Sequence, residues 1–451
     1  MTELPRGWER TTVSDIMTVT YGKALDKALR TTDGRYSYVG SGGEIAKTDA
    51  ILTATNTIVV GRKGTAGSVQ RYVHGCWPSD TTFYLEVPGG LDGALVEHQL
   101  RAAQLGQHDR STALPGLGRP DLEATPLVIA PQAEQERIVV AIEEAFSNLE
   151  AGEAGLRTVR QLLKRMRDVI LAAAVTGRLV SQDPTDTPAT KLLADLGIEP
   201  ISPVDAPALP DAWAWASLGS ISDSVRNGIF VSRPPEVPPG IPILRIGAVR
   251  RLELDLSDIR YAQLDIADPA VSRASLAHGD LLFTRYNGNP EFVGACAVVP
   301  MTKGPVLHPD KLIRVVVRME VADSTYVAIA VSAGTSRSFI EGVTKTTAGQ
   351  AGISGGDLKL VPVPVAPLPE QRRIVVEVDR QLSFLDACER AVDAGLVRSA
   401  ALRRSILKAA FEGGLVEQDP TDEPASVLLE RIRAERAAAP KTRTRRATAK
   451  S

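Results

Sequence analysis

The chain has 451 residues, a formal net charge of −2 and a hydrophobic fraction of 43%. This length leaves room for two or three domains, and the composition is ordinary for a globular protein. No apolar run is long enough to cross a bilayer and residues 1–21 lack the pattern of an export signal, so we expect no membrane contact and a cytoplasmic location.

The first predicted element is a globular domain over residues 1–130. Short β-branched runs alternate there with Gly, Pro, Asn and Asp, a pattern that predicts strands. At the end of one such strand stand Arg62, Lys63 and Gly64, a cationic pair followed by a glycine turn. Backbone N–H groups and a guanidinium at such a turn can approach a phosphate closely, which predicts a DNA contact. A β-hairpin with a surface arginine explains the same pattern.

The second element, residues 131–197, is predicted to contain one long helix. Its apolar residues step alternately by four and three, from Ile138 through Ile142 and Leu149 to Ile170, which is a heptad seam. A helix of about 40 residues is roughly 60 Å long and cannot bury such a stripe by itself. We therefore expect a partner helix.

A proline-containing linker over residues 198–208 precedes a second globular domain, residues 209–366. This domain again shows short β-branched runs, which predict small sheets. One run ends in Arg285, Tyr286 and Asn287, and Lys311 opens another. We expect these four residues to face DNA, with the same hairpin alternative as in the first domain.

The last region, residues 367–436, repeats the first helical segment at an offset of about 236 positions, with roughly four in ten positions identical. The chain is therefore a duplication. We expect the two helices to form an antiparallel coiled coil within one chain; two ordinary helices packed separately are the alternative. The segment 437–451 is basic and unpatterned, which favours a disordered extension over an auxiliary phosphate contact.

Motifs of an enzyme are absent from the sequence. Asn289-Pro290-Glu291-Phe292 imitates the flipped-base loop of adenine methyltransferases, but Glu291 replaces the second proline. No glycine-rich loop for ATP phosphates is present, and the five histidines form no ligand pair at helical spacing. We expect no catalytic residue, no metal and no cofactor in this chain. The cysteines are odd in number and far apart, which favours buried thiols: Cys76, Cys296 and Cys388.

The order of these motifs resembles the specificity subunits of type I restriction-modification systems. Each half has a Leu-Pro-x-x-Trp start at Leu4 or Leu209, a variable domain, a Glu-Gln-x-Arg-Ile segment, a long helix and a Gly-x-Leu-Val close. Residues 115–122 and 354–358 stand where that family has its junction between domain and helix. The resemblance covers nearly the full chain and combines order, spacing and duplication.

The resemblance implies an α+β fold, in which two α/β target recognition domains are separated by the coiled coil with pseudo-twofold symmetry. Each domain would read one half of an asymmetric, bipartite sequence of double-stranded DNA. The helices would dock two methyltransferase subunits and, through them, two restriction subunits, which would carry S-adenosylmethionine, ATP and Mg²⁺. The residues expected at the docking and spacer segment are those of the repeated motif: Glu134, Gln135, Arg137, Ile138, Glu370, Gln371, Arg373 and Ile374.

The net charge of −2 is unusual for a DNA-binding protein, since phosphate neutralisation dominates affinity. We therefore predict weak DNA binding by the chain without its partners. Three other readings remain open: a coiled-coil scaffold joining two protein-binding modules, the specificity subunit of a complex that only methylates, and a single-chain methyltransferase or nuclease. DNA binding and turnover by the purified chain distinguish them.

Overall fold

A computed structural model describes residues 3–53, 55–108, 116–347 and 350–438. The chain forms two compact units: unit 1 contains residues 1–157 and 393–451, and unit 2 contains residues 158–392. Each unit therefore holds one globular domain and part of each long helix. Pro115 of the first junction motif and residues 439–451 of the basic tail lie outside the described residues.

Domain 1, the globular part of unit 1, is built from short strands and helices. Its elements are β1 (Glu9–Thr12), α1 (Val13–Ile16), β2 (Thr20–Tyr21), β3 (Tyr36–Gly40), β4 (Gly43–Thr48), β5 (Thr57–Gly61), β6 (Val69–Tyr72), β7 (Trp77–Pro78), β8 (Thr82–Glu86), α2 (Gly93–Ala102), α3 (Arg119–Glu123) and β9 (Pro126–Ile129). Strands β2, β8, β5 and β6 form one antiparallel sheet in that order. Every residue of β5 is buried, as expected for a β-branched central strand.

The first long helix, α4, runs from Gln132 to Ala174 and has 43 residues. A short helix, α5 (Ala189–Asp195), follows it. The backbone N–H of Ala189 donates to the carbonyl of Ala212 at 2.8 Å. This bond ties the start of α5 to the beginning of the second domain.

Domain 2, the globular part of unit 2, repeats the central sheet of domain 1. Its elements are β10 (Ala214–Ser217), β11 (Ser222–Asn227), β12 (Ile241–Leu244), β13 (Val249–Arg250), β14 (Glu253–Leu254), β15 (Ile259–Ala262), α6 (Pro269–Ala274), β16 (Leu281–Thr284), β17 (Tyr286–Asn287), β18 (Cys296–Val298), β19 (Leu312–Val317), α7 (Ser324–Val331), α8 (Gly334–Val343), β20 (Lys345–Thr347), β21 (Gln350–Gly352), α9 (Gly355–Lys359) and β22 (Pro362–Val365). Its sheet has the order β11, β19, β16, β18. The pairings match those of domain 1, so the duplication extends to domains whose sequences have diverged.

The second long helix, α10 (Leu368–Phe411), has 44 residues, and α11 (Ala425–Ala438) follows it. In unit 1, Glu153 of α4 accepts hydrogen bonds from Ser399 (2.7 Å) and Arg403 (3.4 Å) of α10. In unit 2, Arg167 of α4 pairs with Glu389 at 2.8 Å. Positions that rise along α4 meet positions that fall along α10, so the helices are antiparallel. The predicted coiled coil is confirmed.

Helix α11 belongs to unit 1 and completes the core of domain 1. Leu428, Leu429 and Ile432 are buried in one apolar cluster with residues of the domain 1 sheet. The N–H of Ala425 donates to the carbonyl of Gly7 at 2.8 Å, which is the counterpart of the bond between Ala189 and Ala212. Both ends of the described chain therefore contribute to one domain.

The glycine that closes each repeat has no room for a side chain. Gly177 and Gly413 both have positive φ, 69° and 75°, a conformation that strains other residues. A Cβ at Gly177 would lie 2.4 Å from Pro210 Cγ, and one at Gly413 would lie 2.2 Å from Pro5 Cγ. The close of each helix therefore packs against the start of a domain.

Substitution Gly413→Ala is expected to lower the free energy of unfolding by about 1–3 kcal/mol, because it combines left-handed backbone strain with overpacking. Denaturant unfolding measures the change. Gly414→Ala is the matched control, since its nearest neighbour is 3.8 Å away and its φ is ordinary. Equal effects of the two substitutions would contradict this account of Gly413.

Candidate nucleic-acid interface

The predicted DNA-facing arginine of domain 1 lies at the end of β5, half buried. Its backbone N–H donates to the Thr81 carbonyl at 2.9 Å, and its own carbonyl accepts from Leu117 at 2.9 Å. One guanidinium nitrogen of Arg62 donates to the Asp80 carbonyl at 2.8 Å. The guanidinium lies 5.2 Å from the centroid of the Tyr21 ring. We call this arrangement corner 1.

Domain 2 builds the same arrangement around Arg285. Its N–H donates to the Lys311 carbonyl at 2.9 Å, and its carbonyl accepts from Ile353 at 2.9 Å. A guanidinium nitrogen donates to the Asp310 carbonyl at 3.2 Å, and the guanidinium lies 4.7 Å from the centroid of the Tyr286 ring. We call this arrangement corner 2. Corners 1 and 2 share the backbone bonds and the side-chain bond. Each also has a tyrosine under the cation, but from different elements: Tyr21 lies on β2, and Tyr286 directly follows Arg285 on β17.

The shared geometry places each predicted residue. Lys63, Gly64 and Lys311 are exposed, whereas Asn287 is half buried. The side-chain oxygen of Asn287 accepts from the N–H of Asn289 at 2.9 Å, so it shapes the turn after β17. In each domain, the structure brings the residues predicted to face DNA together at one end of a sheet. The contact of these residues with DNA stays a prediction.

One nitrogen of each arginine is buried and unpaired in the described part of the chain, and so is not itself open to a ligand. The Nε atoms of Arg62 and Arg285 are buried and have no hydrogen-bond partner among the described residues. Stacking on a tyrosine holds the planar guanidinium in one orientation, and cation–π contact adds about 0.5–2 kcal/mol. An oriented guanidinium loses less side-chain entropy when it binds an anion or a guanine edge.

The described residues hold no group of three or more His, Cys, Asp or Glu side chains that could bind a metal. The three cysteines are free, and Cys76 and Cys296 are buried. Burial raises the pKa of the Cys76 thiol to about 11, which disfavours the reactive thiolate at neutral pH. In the part of the chain that is described, no helix is long and apolar enough to span a membrane.

A buried tryptophan and glutamate join each domain to its helix. Trp8 Nε1 donates to Glu134 Oε2 at 2.9 Å, and Trp213 Nε1 donates to Glu370 Oε2 at 3.0 Å. The second oxygen of each carboxyl group is buried and has no partner among the described atoms. Burial raises the pKa of Glu134 and of Glu370, and the indole hydrogen bond opposes that rise.

The glutamine after each glutamate caps a helix of the domain. Gln135 Oε1 accepts from the N–H of Asp92, the N-cap of α2, at 2.8 Å. Gln371 Oε1 accepts from the N–H of Asp323, the N-cap of α7, also at 2.8 Å. These glutamines also donate to the carbonyls of residues 130 and 366, both at 2.8 Å. We call each Trp–Glu–Gln set a helix junction.

An ion pair repeats beside each junction. Arg137 pairs with Asp422 at 2.7 Å, and Arg373 pairs with Asp186 at 2.7 Å. Both aspartates belong to the repeated Gln-Asp-Pro-Thr-Asp sequence after the long helices. Each helix start is therefore linked to the segment that follows the other helix.

Burial limits which residues of the Glu-Gln-x-Arg-Ile segment are exposed to a partner. Glu134, Gln135 and Ile138 are buried within unit 1, and their counterparts are buried within unit 2, so these six side chains have no surface for a partner. Their observed role is to attach each helix to its domain. Only the two arginines are half exposed, and both are in ion pairs. Docking by this segment stays a prediction and would use its exposed positions. The counterparts in unit 2 are Glu370, Gln371 and Ile374.

The partners of these residues were not predictable from local sequence. The tryptophan at each domain start and the repeated glutamate are visible, but no local pattern shows that Trp213 and Glu370, 157 positions apart, meet. The available signal was their joint repetition in both halves, since two motifs that are duplicated together are candidates for mutual contact.

Comparisons with known proteins decide the family. A model described as the type I restriction modification DNA specificity domain matches residues 5–154. The specificity subunit of the type I restriction enzyme EcoKI from Escherichia coli K12 is 35% identical over 319 residues, which is 69% of this chain and 64% of that protein. The chain belongs to the type I restriction-modification specificity subunits.

Other similarities extend over more of this specificity subunit. The EcoDI specificity subunit of Escherichia coli is 22% identical over 455 residues, 97% of each protein. A solved structure from a study of assembly and conformational transition of the type I R-M system matches 92% of this chain and 100% of its own, with a TM-score of 0.63 and 18% identity. That likeness shows the fold. The chain matches slightly less than two thirds of the EcoKI subunit's length.

Proposed function

We propose that this chain selects the DNA sequence on which a type I restriction-modification complex acts. Domain 1 and domain 2 each read one half of a bipartite, asymmetric target. The observation that carries the proposal is the repetition of one arginine, with the same backbone and side-chain bonds, at the same sheet end in two domains of divergent sequence. The exposed cations of each corner position the domain on the backbone, and the arginine together with the divergent surroundings supplies the base contacts.

Within the corners, the exposed and half-buried cations have different proposed roles. Lys63 and Lys311 are exposed, which suits contact with phosphates. Arg62 and Arg285 are held against tyrosine rings, which suits a directed contact with a base edge or one phosphate. The net charge of −2 agrees with a subunit that binds DNA tightly only beside partners.

The proposed partners are two methyltransferase subunits and, through them, two restriction subunits. The repeated helix segments present an exposed apolar side chain at the same place, Val140 at 65% exposure and Val376 at 68%. An isolated exposed valine is common, but duplication of the exposure suits two copies of one partner. We propose that those partners, not this chain, hold S-adenosylmethionine, ATP and Mg²⁺ and perform the chemistry.

Substitution Arg285→Ala tests the reading role of corner 2. In the complex with methyltransferase subunits, it should weaken binding to the cognate duplex by roughly 1–3 kcal/mol and relax discrimination at one base of one half-site, if the guanidinium contacts a guanine. Lys311→Ala is the matched comparison, since loss of a phosphate contact weakens binding to all sequences alike. Binding isotherms on cognate and singly altered duplexes measure both.

Two results would contradict the assignment of corner 2 to DNA reading. One is cognate affinity unchanged by either substitution in a folded, assembled complex. The other is equal weakening for both variants together with loss of methyltransferase binding, which would favour a scaffold whose domains bind protein.

A further inference from the structure

A loop of domain 2 begins at corner 2. The N–H of Ile229, just after β11, donates to the His308 carbonyl at 3.1 Å, and its carbonyl accepts from Asp310 at 3.0 Å. Asp310 is the residue whose carbonyl also accepts the guanidinium of Arg285. Hydrogen bonds through Asp310 therefore connect the start of the loop to Arg285, the predicted reading residue.

The same loop is held a second time six residues later. The carbonyl of Pro235 accepts from the N–H of Tyr261 in β15 at 2.9 Å. Glu236 pairs with Arg260 of the same strand at 2.7 Å. Residues 230–234 therefore form a short bridge between two fixed points, which limits the conformations open to them.

That bridge presents one aromatic and one cationic side chain to solvent. Phe230 is 74% exposed. Arg233 is exposed and has φ of 45°, a left-handed conformation that costs energy in a residue other than glycine. Within the described residues, the Arg233 side chain has no hydrogen bond or ion pair. Folding explains neither an exposed phenylalanine nor strain at an unpaired arginine, and strained residues cluster at binding sites.

Among its described residues, domain 1 lacks this feature although its chain takes the same first step. A Cβ on Gly22 would lie 2.1 Å from the carbonyl oxygen of Ser79, and a Cβ on Gly228 would lie 2.1 Å from that of His308. In both domains the chain therefore leaves the sheet at a glycine that packs closely against a backbone carbonyl. After Gly22, however, the chain turns inward and buries Leu25. An exposed aromatic after this glycine is thus found in the second domain and is not required by the shared fold.

From this juxtaposition we propose that Phe230 contacts the DNA bases as an apolar wedge next to corner 2, while Arg233 binds a neighbouring phosphate. The inference rests on the proposed reading of DNA by domain 2. Apolar side chains that partly unstack a base step are a known means of recognition, and a nearby cation stabilises the deformed backbone. The half-site of domain 2 would therefore contain an easily unstacked step, such as a pyrimidine followed by a purine.

The test uses the full chain assembled with its methyltransferase subunits and a cognate duplex identified by methylome sequencing. Phe230→Ala should weaken cognate binding roughly 5- to 150-fold, as loss of one aromatic–base contact does. A 2-aminopurine placed along the domain 2 half-site should brighten when the wild-type complex binds, and this signal should vanish with Phe230→Ala. Arg233→Ala should weaken binding to all duplexes and lower the salt slope by about one.

Met301→Ala is the matched control, because Met301 is an exposed apolar residue of the same domain, at 81% exposure. It should behave as wild type. If the wild-type complex prefers no duplex, the proposed function fails. If it prefers its target while Phe230→Ala matches Met301→Ala in affinity and fluorescence, the wedge is wrong. If Phe230→Ala instead lowers methyltransferase incorporation with DNA binding unchanged, the loop is a protein contact and the inference is overturned.

Discussion

Substitution Trp213→Ala is expected to lower the free energy of unfolding by roughly 3–5 kcal/mol, as removal of a large buried aromatic does. Trp213 is buried, and the centroid of its ring lies 6.3 Å from that of Tyr326. Its indole N–H donates a hydrogen bond to Glu370. Its removal leaves a cavity and a buried carboxyl group with no partner. Denaturant unfolding measures the loss, and hydrogen exchange should localise it to domain 2 and the start of α10.

A double-mutant cycle separates the hydrogen bond from the packing. Trp213→Phe keeps most of the ring but leaves Glu370 unpaired, which should cost about 1–3 kcal/mol. The double variant Trp213→Phe with Glu370→Leu leaves neither partner of this hydrogen bond unpaired. Its loss in free energy of unfolding should therefore be smaller than the sum of the losses in the two single variants. Strict additivity would contradict a direct link between the two side chains.

Glu370 also gives the junction a pH dependence. Because burial raises its pKa in the folded state, the protonated carboxyl is favoured there. The contribution of Glu370 to the free energy of unfolding is therefore most favourable below the ordinary pKa of 4.5. It is lost as the pH rises through the pKa that Glu370 has in the folded protein. The stability of Glu370→Gln relative to wild type should therefore increase between about pH 4 and neutrality.

Insertion of seven residues into each long helix, after Arg157 and after Val392, is expected to lengthen the unread gap of the DNA target. Both sites lie where the chain passes between units 1 and 2. Seven residues preserve the heptad seam and add about 10.5 Å, close to three base-pair steps of about 3.4 Å. Methylome sequencing should find both half-sites unchanged and the gap longer by about three base pairs.

The control is the same insertion in α4 alone. It displaces the part of α4 beyond the insertion by about 10.5 Å against α10, so the contact of Glu153 with Ser399 and that of Arg167 with Glu389 cannot both form. This variant should lose stability and methylation activity. If the double insertion altered a half-site, or left the gap unchanged in an active complex, the helices would not be the spacer.

The helices and the duplication were predictable because their signals are local or periodic. The steps of four and three from Ile138 to Ile170 define a helix seam, and exact repetition of Gln-Asp-Pro-Thr-Asp reveals the two halves. The sheet that the two domains share was harder to predict from the sequence. Strands β5 and β16 have the same neighbours, yet their sequences share little beyond β-branched and apolar character, which many sequences satisfy.

The candidate site was predictable only in part. Arg62 and Arg285 stand at strand ends before turns, a local pattern, and the structure gives them equivalent surroundings. The hydrogen bond from Trp8 to Glu134 was not predictable, because the two residues are distant in sequence and no local pattern links them. Phe230 carried no sequence signal, because exposure of an apolar residue depends on tertiary contacts.

Division of the chain into two readers on a common spacer is tested most directly by exchanging one domain. Residues 209–366 are replaced by the corresponding domain of another specificity subunit, and methylome sequencing is performed on cells that express the chimera with the methyltransferase. The half-site read by domain 2 should change to that of the donor, while the other half-site and the gap persist. A change in both half-sites, or failure to assemble although both domains are folded, would contradict the division.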